Sequence, residues 1–118
     1  MNESVEIALL LDFYGQLLTP RQYEILDLHY NNDISLGEIG EQYNISRQGV
    51  YDSIKKGREA LRRYEEKLGL VKRFSRHNET IRNILTELKK LEAGSTQREN
   101  KDIIDFCVME LEKVINEL

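Results

Sequence analysis

Apolar residues recur at intervals of three and four along almost the whole chain, a spacing typical of amphipathic helices. The most regular stripe lies between residues 50 and 68 and consists of Val50, Ile54, Leu61, Tyr64 and Leu68. On a helical wheel these side chains fall within about 80° of arc, so they predict a long helix with one buried face. Gly57 lies on the same face, where the lack of a side chain would let another helix approach closely.

Polar capping residues mark the predicted helix starts. Three segments carry Ser or Thr followed three residues later by Gln or Glu, which is the capping-box pattern: 19–22, 35–38 and 96–99. A first helix is predicted from Asn2 or Ser4 to about Leu17. Its buried stripe is predicted to contain Val5, Leu9, Phe13 and Leu17, widened by Leu10 and Tyr14. Turn residues at 31–33 and 44–46 are predicted to end the second and third helices, and Ser46 to cap the fourth.

Two further helices are predicted in the C-terminal part of the chain, joined by a turn at 93–95. The first runs over 76–91, with Ile81, Ile84, Leu88 and Leu91 on its stripe. The second carries Ile104, Val108, Leu111, Ile115 and Leu118. These heptad-like seams predict an antiparallel helical hairpin. The hairpin has more apolar surface than it can bury alone, so the N-terminal domain, a second copy of the chain or another protein must cover it.

These elements predict an all-α fold made of two parts. Seven glycines and one proline leave few turn residues, which favours long helices over a sheet. Residues 1–70 are predicted to form a domain that contains a helix-turn-helix, with its second helix beginning after Ser46. Residues 71–118 are predicted to form the hairpin, as a packing or dimerisation arm. Whether the fourth helix ends at Gly69 or continues is left open by the sequence.

The charge is distributed unevenly along the chain. The formal net charge is −4, but residues 46–76 carry ten basic and four acidic side chains, a net +6. Residues 1–45 carry a net −7 and residues 77–118 a net −3. A basic middle between acidic flanks indicates a local positive field, which would suit a nucleic acid.

The basic segment includes a predicted contact surface for DNA. The second helix of a helix-turn-helix lies in the major groove, so its outer side would carry the contacts. The candidate residues are Arg47, Gln48, Tyr51, Lys55, Lys56 and Arg58. Arg and Gln in the first turn suit guanine and adenine edges, whereas the later basic residues suit phosphates. Asp52 and Glu59 fall on the same side and would oppose a phosphate-rich surface.

Other chemistry is not expected. Cys107 lies in an apolar run and is predicted to be a buried hydrophobic residue. His29 and His77 are far apart in the sequence and lack metal-ligand spacing, and no phosphate-binding or hydrolase motif occurs. We therefore expect no catalytic site, metal or cofactor, and no enzyme. The N-terminus lacks the pattern of a signal peptide and no apolar run could span a membrane, so a cytoplasmic location without membrane insertion is expected.

The segment LTPRQYEILDLHYNNDISLGEIGEQYNISRQGVYDSIKKGREALRRYE resembles the promoter-reading fourth region of bacterial sigma factors. It is more similar to the YlxM family of small bacterial helix-turn-helix proteins, over about residues 5–68. That resemblance implies a regulatory protein linked to the signal recognition particle pathway. The sequence departs from sigma factors at Tyr51 and Asp52, and it lacks their other regions, so it is not expected to act as a sigma factor alone.

Three functions therefore remain open. The first is binding of DNA or RNA in a regulatory role. The second is a protein-binding accessory factor of the signal recognition particle GTPase or its receptor, without DNA binding. The third is a homodimer whose hairpin is the functional surface.

Overall fold

The computed structural model of the protein describes residues 2–91 and 96–117. Over these residues the chain forms α-helices and one short 3-10 helix, without a β-strand, which confirms the all-α class. The elements are α1 (Glu3–Tyr14), the 3-10 helix (Gly15–Leu17), α2 (Pro20–Tyr30), α3 (Leu36–Tyr43), α4 (Arg47–Leu68), α5 (Leu70–Lys89) and α6 (Gln97–Glu117). They divide into two compact units, Met1–Val71 and Lys72–Leu118.

The helices begin at the polar residues that the sequence indicates. Asn2 accepts from the backbone N–H of Val5 at 2.9 Å, so Asn2 and not Ser4 caps α1. Thr19 and Gln22 form a complete capping box at the start of α2. Complementary hydrogen bonds of 3.0 and 3.1 Å join residues 96 and 99 in the same way before α6. Because each cap satisfies backbone groups that have no partner inside the helix, the element starts are set locally.

The core of the first unit forms where α4 packs against α1, α2 and α3. Its buried side chains are Ile7, Leu10, Leu11, Tyr14, Leu18, Ile25, Leu26, Ile39, Val50, Ile54 and Leu61. The predicted stripe of α4 is confirmed at its first three positions, whereas Leu68 is exposed at the last turn. A Cβ at Gly57 would lie 2.6 Å from Cδ1 of Leu26, which confirms that α2 and α4 approach closely at this glycine.

The predicted buried stripe of α1 is wrong in its main members. Val5, Phe13 and Leu17 are exposed, and the buried positions are Ile7, Leu10, Leu11 and Tyr14. The α-helix also ends at Tyr14 and continues to Leu17 only as a 3-10 turn. The physical reason is that α1 is apolar on nearly all sides, so its periodicity does not select one face. Packing against α2 and α4 determines which side chains of α1 are buried.

Gly69 ends α4, which settles the question that the sequence leaves open. It adopts a left-handed conformation with φ of 63°, and α5 begins at the next residue. The first amides of α5 are satisfied by side chains: Leu70 N–H donates to Tyr14 Oη at 3.1 Å and Val71 N–H donates to Glu65 Oε1 at 3.0 Å. The Tyr14 hydroxyl also donates to Glu65 at 2.6 Å. These bonds allow α5 to start six residues before the predicted position at Arg76.

The second unit is an antiparallel pairing of α5 with α6. Two contacts join the helices. The Cys107 thiol lies 3.7 Å from the backbone oxygen of Ile84, and Arg76 Nη2 lies 3.1 Å from Glu117 Oε2. Cys107 is buried, as predicted. The predicted turn at 93–95 and Leu118 lie outside the described residues.

The predicted seam of the hairpin is wrong. Of its described members only Ile84 is buried; Leu91 is half-buried, and the rest are exposed: Ile81, Leu88, Ile104, Val108, Leu111 and Ile115. The buried contact is formed instead by His77, Ile84 and Cys107. Each helix is therefore rotated about its axis relative to the prediction, so that His77, Ile84 and Cys107 lie between the two helices.

Candidate nucleic-acid interface

Helices α3 and α4 are joined by a three-residue turn of defined geometry. Asn44 ends α3 in the left-handed region, with φ of 56°, and Ser46 caps α4 by accepting from Gly49 N–H at 3.0 Å. Between them, Ile45 packs against the core and donates from its N–H to Gly40 O at 2.9 Å. A Cβ at Gly40 would lie 2.7 Å from the Ile45 carbonyl oxygen, so the two helices meet closely at this glycine. This is the helix-turn-helix unit that the sequence predicts.

The first half of α4 presents its outer side to solvent. Arg47, Gln48, Tyr51, Lys55 and Lys56 are all exposed. Val50 and Ile54 on the opposite side of the same turns are buried in the core, so the backbone that carries the exposed side chains is fixed. The structure thus leaves five of the six candidate residues accessible, with Arg47 and Lys56 at opposite margins of the exposed surface of α4.

Arg58 is placed differently from the other five candidates. Its side chain is 21% exposed, and Nη1 donates to Glu3 Oε1 at 2.6 Å and to Tyr30 Oη at 3.1 Å. Burial alone would lower the pKa of the guanidinium, but the bonds to Tyr30 and Glu3 raise that pKa overall. Arg58 therefore joins α4 to α1 and α2, and it would have to leave Glu3 to reach a phosphate.

A second ion pair links the same two helices. Arg62 Nε lies 3.3 Å from Glu6 Oε1, one turn after the Arg58 contact. The partners are separated by more than fifty residues in the sequence, so no local spacing signals either pair. Sequence reasoning missed both acidic partners for this reason.

Acidic groups lie among the exposed basic ones. Gln48 Nε2 donates to Asp52 Oδ1 at 3.1 Å, so the amide that could read a base edge is engaged within the helix. Glu59 is exposed two turns after Asp52 on α4, and Glu38 and Glu41 are exposed on α3. The candidate interface is consequently a surface of mixed charge, in which Asp52 and Glu59 lie between the basic side chains of α4.

Two other kinds of feature were not found among the described residues. Over this part of the chain, no group of His, Cys, Asp and Glu side chains is arranged to hold a metal ion. None of the described helices is both long and apolar enough to cross a membrane.

Comparison with known proteins gives a consistent relationship. Residues 1–103 match the helix-turn-helix family UPF0122, described as YlxM / p13 like. A UPF0122 protein of Acetivibrio thermocellus is 52% identical over 115 residues, which are 98% of this chain and 98% of that protein. A UPF0122 protein of Thermoanaerobacter sp. is 48% identical over 112 residues, 95% of this chain and 92% of that protein. The UPF0122 protein YlxM of Bacillus subtilis is 40% identical over 114 residues, 97% of each chain. The chain therefore belongs to the UPF0122 family of YlxM / p13 like helix-turn-helix proteins.

Proposed function

We propose that this protein is a regulatory protein that binds nucleic acid through the N-terminal half of α4. One observation carries the proposal: Arg47, Gln48 and Lys55 stand exposed on the helix that follows the helix-turn-helix turn. A recognition helix needs this arrangement, because its first turns must reach base edges while the helix itself stays anchored in the core.

The exposed residues suit different parts of a duplex. Arg47 in the first turn is placed to donate two hydrogen bonds to guanine, and Gln48 to contact adenine once it releases Asp52. Lys55 and Lys56 lie farther along the helix, where they would contact phosphates and fix the position of the protein. Tyr51 lies between the two groups. Arg58 joins the contact surface only when a phosphate replaces Glu3.

The surrounding acids limit the expected affinity. Asp52, Glu59, Glu38 and Glu41 would all lie near the phosphates and repel them. We expect weak, strongly salt-dependent binding: about three phosphate contacts correspond to a slope near −2.7 in a plot of log K against log salt.

A second candidate is favoured by the same mixed charge. A surface with alternating acidic and basic groups suits a protein with the complementary pattern, which would gain from contacts with both signs. The resemblance to the YlxM family points to the signal recognition particle GTPase or its receptor as that partner, in the cytoplasm. Whether the partner is a nucleic acid or a protein, we propose that the chain acts as a homodimer, which would present two copies of α4 to that partner.

Equilibrium binding of fluorescent duplexes of mixed sequence tests the first candidate. Lys55→Ala and Lys56→Ala should each weaken binding evenly across sequences and reduce the salt slope by about 0.9. Lys67→Ala is the matched control, since it removes the same charge from the exposed last turn of α4 and should change little. Equal affinity of wild type and the Lys55→Ala, Lys56→Ala double variant at low salt would refute nucleic-acid binding by α4.

The protein candidate is tested separately on the purified GTPase and receptor. Wild type should be retained at micromolar concentration on one of them after nuclease treatment and should change its hydrolysis rate. Absence of retention on both would remove this candidate.

A further inference from the structure

The hairpin of α5 and α6 leaves most of its large aliphatic side chains exposed. Its helix–helix contact contains His77 and Cys107, and His77 Nε2 and Asn100 Oδ1 have no hydrogen-bond partner among the described residues. Seven aliphatic side chains are meanwhile 40–65% exposed; we call them the outer face: Ile81, Leu85, Leu88, Ile104, Val108, Leu111 and Ile115. A free helical hairpin would gain from the opposite arrangement. Burial of the outer face against another surface would therefore stabilise the hairpin.

The outer face is continuous across both helices. On a helical wheel, the outer-face residues of α5 lie about 40–100° away from the direction of Ile84, all on one side of it. The outer-face residues of α6 lie at the same angles from the direction of Cys107. Antiparallel helices that contact each other through Ile84 and Cys107 present this flank on the same side of the hairpin. No charged residue falls inside either arc.

The extent of the outer face suits a stable assembly. Seven aliphatic side chains at about half exposure present on the order of 600 Å², close to the roughly 800 Å² that each partner contributes to a standard interface. Two-helix layers with one apolar face are completed by a second such layer, as in four-helix bundles.

We propose that a second copy of this chain covers the outer face, giving a four-helix bundle in which α5 packs against the partner's α6. The twofold axis runs parallel to the helices, so that all neighbouring helices are antiparallel. This specifies the surface and symmetry of the homodimer proposed above, and it does not depend on nucleic-acid binding.

The charges beside the outer face select this symmetry. The exposed edge of α5 carries Arg82 and Lys89, and the corresponding edge of α6 carries Asp105, Glu112 and Lys101. With Ile84 level with Cys107, Lys89 differs in height from Asp105 by three residues, and Arg82 from Glu112 by three, which is about 4.5 Å in each case. The proposed axis conserves height, so Arg82 lies beside Glu112 of the partner subunit, and Lys89 lies between Asp105 and Lys101 of the partner subunit.

The alternative twofold axis, perpendicular to the helices, is disfavoured by the same charges. It would pack α5 on the partner's α5 and α6 on the partner's α6. Arg82 and Lys89 would then face their own copies, as would Asp105 and Glu112. Like charges in such positions oppose association.

Sedimentation equilibrium of the full chain tests the surface. Leu111→Glu should raise the dimer dissociation constant by about 100-fold or more, because it places a charge inside the apolar contact. Met109→Glu is the matched control: Met109 is 48% exposed against 42% for Leu111, but it points away from the outer face. Helix content by circular dichroism identifies any variant that fails to fold, and Ile104→Glu then replaces it. A monomeric wild type up to millimolar concentration, or equal effects of Leu111→Glu and Met109→Glu, would overturn the proposal.

A charge exchange tests the symmetry. The variants R82E/K89E and D105K/E112K should each dimerise at least about tenfold more weakly than wild type, and their mixture should recover a dimer about as tight as that of wild type. Variants that dimerise as tightly as wild type, with a mixture tighter than wild type, would overturn the parallel axis, because the perpendicular axis already places like charges together in wild type. Duplex binding measured on the same samples separates failure of the assembly from failure of the nucleic-acid proposal.

Discussion

Replacing Gly40 by alanine should destabilise the first unit. An added Cβ would lie 2.7 Å from the carbonyl oxygen of Ile45, which is backbone and cannot rotate away. The hydrogen bond from Ile45 N–H to Gly40 O, at 2.9 Å, holds the same two segments together. Room for a methyl group can therefore be made only by opening the turn between α3 and α4.

The magnitude follows from two opposing effects. Alanine would gain up to about 1 kcal/mol over glycine in a helix, because the unfolded chain loses freedom. Overpacking of a closed contact costs typically about 1–3 kcal/mol, and a backbone contact belongs to the upper part of that range. The expected net loss for Gly40→Ala is about 1–2 kcal/mol.

Gly37 provides the matched control in the same helix. A Cβ there would meet nothing within 4 Å. Gly37→Ala should stabilise the unit by about 0.5 kcal/mol, since only the helix preference acts. The two variants should therefore differ in free energy of unfolding by about 2 kcal/mol.

Urea unfolding followed by tyrosine fluorescence measures this difference. All six tyrosines lie between residues 14 and 64 and the chain has no tryptophan, so the signal reports the first unit alone. A difference of 2 kcal/mol corresponds to a separation of about 1 M urea between the two midpoints. A Gly40→Ala midpoint equal to or above that of Gly37→Ala would refute the reasoning, because the turn would then open without cost.

Two further predictions concern the contacts made by α1. Glu3→Gln should release Arg58 and strengthen duplex binding by about two- to fivefold, while the free energy of unfolding falls by less than about 1 kcal/mol, because Glu3 is half exposed. Glu6→Gln is its control, since Arg62 is outside the proposed contact surface, and equal affinities of the two variants would contradict the role of Arg58. Tyr14→Phe should cost about 1–2 kcal/mol by removing the hydroxyl that bonds Glu65 and Leu70, with faster amide exchange at Leu70. Burial and the bond to Glu65 raise the pKa of Tyr14 above its usual value, so its contribution is complete below about pH 10 and is lost as the pH rises further. Urea titrations should then show a smaller decline in stability above that pH for Tyr14→Phe than for wild type, and an equal decline would contradict this assignment.

Features that depend on a few neighbouring residues were predictable from the sequence. The caps at Asn2, Thr19 and Ser46 act on amides two or three residues away, so their chemistry is complete within one turn. The same holds for the stop at Asn44, where a residue that tolerates the left-handed conformation ends α3. The buried stripe of α4 was also predictable at Val50 and Ile54, because the opposite side of that helix is strongly charged.

Features that depend on docking between distant segments were not predictable. The pairing of Arg58 with Glu3 exists only because α1 packs beside α4, and it changes the accessibility of a candidate contact residue. The start of α5 at Leu70 depends in the same way on Tyr14, which lies 56 residues earlier. In both cases a side chain that looks free in the sequence is already used within the fold.

The two misread helix faces share one cause. Both α1 and the hairpin contain more than one apolar stripe, and periodicity gives the spacing of a stripe but not which of two stripes faces inward. In the hairpin, the stripe with the larger aliphatic side chains faces outward, and the one with His77 and Cys107 faces the other helix. The larger stripe then remains for a contact in which two layers meet, and we propose that this contact lies between copies of the chain.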